Sequence, residues 1–139
     1  MTSQSERSRE AEDDLLRAAH AVVQLAYAPY SGLSVGAALL TPGGEVFTGC
    51  NVENASLGLT QCAERAAVTR AVAAGERQFA ALAIACSGDA PPLPCGACRQ
   101  VLREFTGELW IVAQGRTGPR ARATLAELLP RPFSPSDLP

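Results

Sequence analysis

Two short stretches carry residue types that could do chemistry together: Cys62-Ala63-Glu64-Arg65 and, about thirty residues later, Pro94-Cys95-Gly96-Ala97-Cys98. Cys95 and Cys98 stand three apart, so on the first turn of a helix both sulfurs face the same way and can grip one ion. Cys62 would supply a third thiolate. Three protein ligands leave the fourth tetrahedral position of a zinc ion open to water, which separates a catalytic site from a closed structural one. Glu64, two residues past a ligand, falls beside that water, where a carboxyl can take up and return a proton. The helix dipole alone favours a glutamate in a first turn, but it does not explain one beside a ligand. The pattern predicts one zinc per chain, held by Cys62, Cys95 and Cys98, with Glu64 as its base.

Cysteine binds zinc as the thiolate, and its ordinary pKa of about 8.5 is depressed at the positive end of a helix dipole. Both motifs sit at predicted helix starts. Three thiolates overcompensate a divalent ion, so a neighbouring cation would keep the site electrophilic. Arg65 is the first candidate and Arg99 the second; the competing reading of each is a solvated surface charge. For the three cysteines the competing reading is buried small hydrophobes or an incidental redox pair. Cys50 and Cys86 each end a largely apolar stretch and read as buried free thiols. Five cysteines are an odd number in a chain whose first residues lack the apolar core of a secretory signal, so no disulfide framework is expected.

The elements that must position these groups can be read in outline. Residues 1–10 are predicted to be a frayed tail. Leu15, Leu16, Ala19, Val22, Val23 and Ala26 then recur at helical spacing, in a helix that should stop at Ala28-Pro29. His20, the only histidine, lies inside that helix and reads as a surface or partly buried residue rather than a ligand. Residues 33–40 and 46–52 form a hairpin around Thr41-Pro42-Gly43-Gly44. Asn51-Val52-Glu53-Asn54 is too polar for a half-buried strand end and reads as a turn-forming loop or a ligand-binding rim. Thr60 is a predicted cap for a helix over 60–74 with Gly75 as its stop, followed by a strand over 79–86 and a loop over 87–93. Pro94 opens a helix over 95–105; residues 109–113 and 120–123 read as further strands, and Thr124 caps a last helix over 125–129. This order suggests a mixed sheet sandwiched between helices in a single domain over 1–139.

At 139 residues and 47% hydrophobic content, the chain can bury a core without staples. The net charge is -2 and all 12 cations are arginines without a dense block, so no nucleic-acid partner is expected. The polar first residues and the lack of any long apolar run predict no membrane association and a cytoplasmic location.

With Cys62-Ala63-Glu64-Arg65 and Pro94-Cys95-Gly96-Ala97-Cys98-Arg99-Gln100 in place, the chain resembles the small, three-cysteine, homotetrameric class of cytidine deaminases, in which C-x-E pairs with P-C-x-x-C. The resemblance begins at Ala28-Pro29-Tyr30-Ser31 and Val35-Gly36-Ala37-Ala38-Leu39. It runs through Gly49-Cys50-Asn51-Val52-Glu53-Asn54-Ala55-Ser56 and both metal motifs, and ends near Phe133. It implies an α/β fold, a three-layer α/β/α sandwich whose mixed sheet has about five strands. The activity implied is zinc-dependent hydrolysis of cytidine and 2'-deoxycytidine to the uridines plus ammonia, in pyrimidine salvage. It further implies that Asn51 and Glu53 hydrogen-bond the ribose 3'-hydroxyl, that the backbone around Ala55, Pro94 and Cys95 lines the pyrimidine, and that Phe133 reaches a neighbouring subunit's base. Each site would then be shared within a homotetramer. Leu33 and Leu57 depart from the family, which usually has Phe and often Tyr there; both bear on the pocket and the subunit interface.

Two other readings compete. One is an aminohydrolase of the same fold acting on a modified cytosine nucleoside, as blasticidin S deaminases do, against which the Asn51-Val52-Glu53-Asn54 stretch argues for an ordinary ribose. The other is a non-catalytic zinc-binding module, which would require a fourth protein ligand; with His20 inside the first helix, Cys50 or Cys86 would have to serve.

Overall fold

Alternation along the strands sorts the interior into two layers, one on each side of a five-stranded sheet of order β2-β1-β3-β4-β5. The computed structural model describes residues 3–139. Its strands are β1 (Val35–Leu40), β2 (Val46–Cys50), β3 (Ala81–Cys86), β4 (Trp110–Gln114) and β5 (Arg120–Thr124). β3 and β4 run parallel and the other pairs antiparallel, so the sheet is mixed as expected. Only the parallel pair needs a crossover helix, and α3 (Gly96–Phe105) provides it.

Ala37, Leu39, Leu82, Ile84, Ile111 and Ala113 face one way, onto α2 (Ala63–Ala73) and α3. The intervening Ala38, Ala83, Ala85 and Val112 face the other way, onto Leu15, Leu16 and Ala19 of α1 (Gln4–Val23). This is the three-layer sandwich, and both metal motifs belong to the α2/α3 layer. The last helix, α4 (Leu125–Leu128), starts at the predicted Thr124 cap, whose hydroxyl accepts from the Glu127 backbone N–H.

Several boundaries differ from expectation for identifiable reasons. Of the predicted tail over 1–10, the first two residues lie outside the described residues, and from Gln4 onward the chain is helical. Ser3 and Glu6 form a reciprocal capping box that starts α1 there. Further along, Glu12 accepts from Arg120 at 2.8 Å and from Arg122 at 2.7 and 3.0 Å, fastening α1 to the edge strand β5. At its other end α1 stops at Val23, short of Pro29, because Tyr27 is drawn into an extended bridge with Val52. α2 begins at Ala63 and not at Thr60, because Gln61 and Val52 exchange backbone hydrogen bonds at 2.9 Å and keep the chain extended up to Cys62. Its C-terminus follows expectation: Gly75 has φ +94°, its N–H reaches the Val72 carbonyl, and the Glu76 N–H reaches Ala71, a Schellman closure.

Gly49 links this packing to the site. A Cβ there would lie 2.5 Å from both the Ala63 carbonyl oxygen and the Ala67 nitrogen, the backbone of the first turns of α2. Only a residue without a side chain lets α2 sit this close to β2. Gly49→Ala is therefore expected to push α2 off the sheet and cost about 1–3 kcal/mol, read as a lowered Tm of the zinc-loaded protein. An unchanged Tm would mean that α2 is not seated on Gly49.

Candidate functional site

Cys62 and Cys95 are the N-cap residues of α2 and α3, both extended (ψ 152° and 169°), and neither makes a side-chain capping bond. A cap position is normally held by a side-chain oxygen that bonds back to the helix; here it carries a thiol, a weaker acceptor that can also serve a metal. Cys98 lies one turn into α3 and is fully buried. The sulfurs of Cys62, Cys95 and Cys98 lie within 4.8 Å of one another, and Cys95 and Cys98 are 3.6 Å apart. Tetrahedral zinc with Zn–S bonds of about 2.3 Å brings pairs of sulfurs to about 3.8 Å, so the donor set fits that ion. Cys50 and Cys86 lie outside the cluster. Cys86 is a buried thiol facing the Ala90 carbonyl at 3.5 Å, whereas Cys50 is only half-buried, less than expected. His20 bonds Gln114 at 2.9 Å and is no ligand.

Backbone and charge tune the three sulfurs differently. Burial opposes ionisation of Cys95, but N–H groups of Cys98 and Ala97 aimed at its sulfur outweigh it and hold the thiol below its ordinary value. Burial pushes the Cys98 thiol strongly up, reinforced by the charge of Glu64; a bound divalent cation reverses that direction. Arg65 donates from Nη2 to the Cys62 sulfur at 3.2 Å and to the Thr60 carbonyl at 3.3 Å. That contact with Cys62 raises the Arg65 pKa and keeps the guanidinium charged. Its Nε is buried without a partner.

Glu64, at 6% exposure, follows the Cys62 cap in the first turn of α2. Burial pushes its carboxyl above the usual carboxylate range, against the pull of its own backbone N–H, the Cys98 thiol and Arg65. A carboxyl tuned upward in this way suits a group that must both accept and return a proton near neutral pH. Glu64, Cys62 and Cys95 line one cavity of about 220 Å³ together with Leu33, Asn51, Thr60, Ile84, Pro92 and Leu93.

The remaining predicted residues divide. Asn51 and Leu33 are in the cavity wall. The Asn51 amide accepts from the Val35 N–H at 2.8 Å and donates to the Leu33 carbonyl at 2.9 Å, which holds the start of β1 against the site. Glu53 accepts from the backbone N–H groups of Tyr30 and Ser31, both at 3.0 Å, and from the Ser31 hydroxyl. The Ser31 bonds hold its carboxyl below the usual range. Ala55 is exposed outside the cavity wall, and Phe133 is 58% exposed, with its carbonyl accepting from Gln100 at 2.8 Å. The sequence does not mark Val35, Thr60, Ala63, Ile84, Pro92 or Leu93 as wall residues, yet all line the cavity. Only the prolines of the 87–93 loop offered a signal, and they mark a loop without saying what it covers.

Residues 9–114 match the family model described as the cytidine and deoxycytidylate deaminase zinc-binding region. A cytidine deaminase of Sporosarcina psychrophila is 46% identical over 114 residues, 81% of this chain and 84% of the relative. A cytidine deaminase of Mycobacterium tuberculosis is 45% identical over 114 residues, 82% of this chain and 83% of that one. Among solved structures, the cytidine deaminase from Burkholderia pseudomallei superposes with a TM-score of 0.83 at 48% identity, covering 87% of this chain and 98% of the other.

Proposed function

The chain belongs to the cytidine and deoxycytidylate deaminase family, and on that premise we propose that it hydrolyses cytidine, and by extension 2'-deoxycytidine, to the corresponding uridine and ammonia. The observation that carries this is the meeting of Cys62, Cys95 and the buried Glu64 carboxyl in one cavity, with the Cys98 sulfur behind them. Cys62, Cys95 and Cys98 would hold the zinc, which when bound would supply the electrostatic activation of water that no side chain here could. Glu64 can take a proton from a water approaching C4 and pass it to the ring nitrogen N3, then take the second proton from the new C4 hydroxyl and hand it to the departing amine, which leaves as ammonia. Arg65 offsets thiolate charge through Cys62. Asn51 and Glu53 recognise the ribose: each Asn51 amide group retains unused hydrogen-bonding capacity, and Glu53 shapes the 30–31 turn. Such an activity recycles pyrimidine nucleosides in the cytoplasm. Incubating pure protein with cytidine, while following absorbance and ammonia, tests the reading; no turnover by zinc-loaded protein would reject it.

Leu33, 41% exposed at the cavity wall, stands where the family usually carries Phe. A ring that meets the substrate base in good geometry adds roughly 0.5–1.5 kcal/mol beyond its buried area, and about 1.4 kcal/mol is tenfold in affinity. Ground state and transition state feel such stacking alike. Leu33→Phe is expected to lower KM for cytidine several-fold and leave kcat nearly unchanged. Loss of cytidine turnover in a folded, zinc-loaded variant would instead favour a modified cytosine nucleoside as substrate. Leu57→Tyr is a harder change, because any burial of the hydroxyl demands a partner.

The same reading extends to a homotetramer with shared sites. Leu25, Leu57 and Leu59 are each 71% exposed, and Val52 and Tyr27 about half, an apolar surface whose burial between copies would stabilise an assembly. Phe133, outside its own chain's cavity, would then act across the interface. Light scattering is expected to give four chains per particle; a fully active monomer would reject the shared site. A non-catalytic module is disfavoured because the cluster offers three protein ligands beside a buried acid rather than four.

A further inference from the structure

Arg99 and Gln100 complete the second motif, and the chemistry above uses neither. Instead of a sulfur, the Arg99 guanidinium holds two backbone carbonyls: Nε donates to Pro94 at 2.7 Å and Nη1 to Leu128 at 3.1 Å. One residue on, Gln100 donates to the Phe133 carbonyl. The first turn of α3 is thus tied on one side to the residue before Cys95 and on the other to the end of α4.

The Pro94 carbonyl is one end of the planar peptide whose other end is the Cys95 nitrogen, so whatever fixes that oxygen fixes the plane from which the Cys95 side chain departs. Pro94 is fully buried and has no N–H, which leaves its carbonyl as the single polar group by which it can be held. Two acceptors at a set separation suit the rigid fork of a guanidinium, whereas an ammonium is a point donor.

We propose that Arg99 is a positioning residue of the metal centre: by bridging the Pro94 and Leu128 carbonyls it locks the peptide ahead of Cys95 and couples the C-terminal segment to the metal turn. This rests on Cys95 being a zinc ligand. Residues that orient metal ligands typically cost 10–100-fold in affinity when removed.

The test is the rate of zinc release from the holoprotein to a chromogenic chelator, measured alongside Tm. Arg99→Ala is expected to release zinc roughly tenfold faster, and Arg99→Lys, able to reach one carbonyl but not both, to fall between it and the wild type. Truncation after Pro130 keeps Leu128 and the bridge while removing the Gln100 contact to Phe133, and should release zinc at the wild-type rate. Wild-type release from Arg99→Ala, even with a lowered Tm, would overturn the proposal and leave Arg99 a packing residue. Wild-type release from Arg99→Lys would overturn the bridge, and this variant decides the matter if Arg99→Ala does not fold. Release from the truncated protein as fast as from Arg99→Ala would also overturn it, by moving the effect to the tail. Wild-type protein purified without zinc would fail the metal reading underneath, a distinct result.

Discussion

Glu64→Gln is expected to keep one zinc per chain and its fold while losing roughly 100-fold or more in the rate of cytidine deamination, the usual contribution of general acid/base catalysis. The amide matches the carboxyl in size, so the volume filled at this buried position is unchanged. It retains an acceptor oxygen for the Glu64 backbone N–H. What it cannot do is exchange a proton, and no other carboxyl lines the cavity: Glu53, the nearest in sequence, is engaged with Tyr30 and Ser31 instead. Because Glu64 is no ligand in this reading, metal content and Tm should stay with the wild type as turnover falls. Metal analysis and a deamination assay on the same preparation decide it. A variant within a few-fold of wild type would remove Glu64 from the mechanism.

The cysteine cluster and the placement of Glu64 beside it are readable in sequence because their geometry is local. Three-residue spacing at a helix start puts Cys95 and Cys98 together with no knowledge of the rest of the fold, and the same holds for Cys62 and Glu64. The sheet was readable for a similar reason, since alternation and turn residues delimit each strand. The start of α1 does carry a signal in the sequence: Ser3 and Glu6 stand at capping-box spacing, which prevails over the polar, charged composition that reads as a tail. Its end was not readable, because what stops it is a pairing of Tyr27 with Val52, 25 positions away by their numbers.

Long-range placement also explains what the sequence could not say about the cavity. Ile84 comes from the central strand, Pro92 and Leu93 from the loop after it, and Thr60 from the extended run before α2. No spacing rule joins them; they meet because β3 and α2 share a sheet face. Asn51 is assigned to the ribose by the resemblance alone; its polarity at a strand end reads as a turn or a rim, and what it does in the fold is hold the Leu33 and Val35 backbone. Arg99 shows the same limit: its charge suggested a partner for sulfur, while its position made it a bridge between carbonyls.

Cys95→Ala is expected to lose most of its zinc and, with it, stability, because the unfolded chain has no preformed site and metal binding is therefore folding free energy. Cys95 is the most exposed of the three sulfur donors, so removing its side chain opens no large core cavity, and the loss reports coordination rather than packing. A ligand present at 100 times its Kd stabilises the folded state by about 2.7 kcal/mol, which for a domain of this size corresponds to a Tm change on the order of 10 °C. A variant whose affinity falls a hundredfold forfeits about that much. Cys50→Ala and Cys86→Ala are the matched controls: both thiols lie outside the cluster, and both variants should keep full zinc. Metal analysis of the three proteins after gel filtration separates the cases. Full zinc in Cys95→Ala with loss in either control would mean that the ligands are assigned wrongly. Loss in Cys95→Ala alone, set beside a zinc-replete but inactive Glu64→Gln, would divide the site into a part that holds the metal and a part that moves the proton.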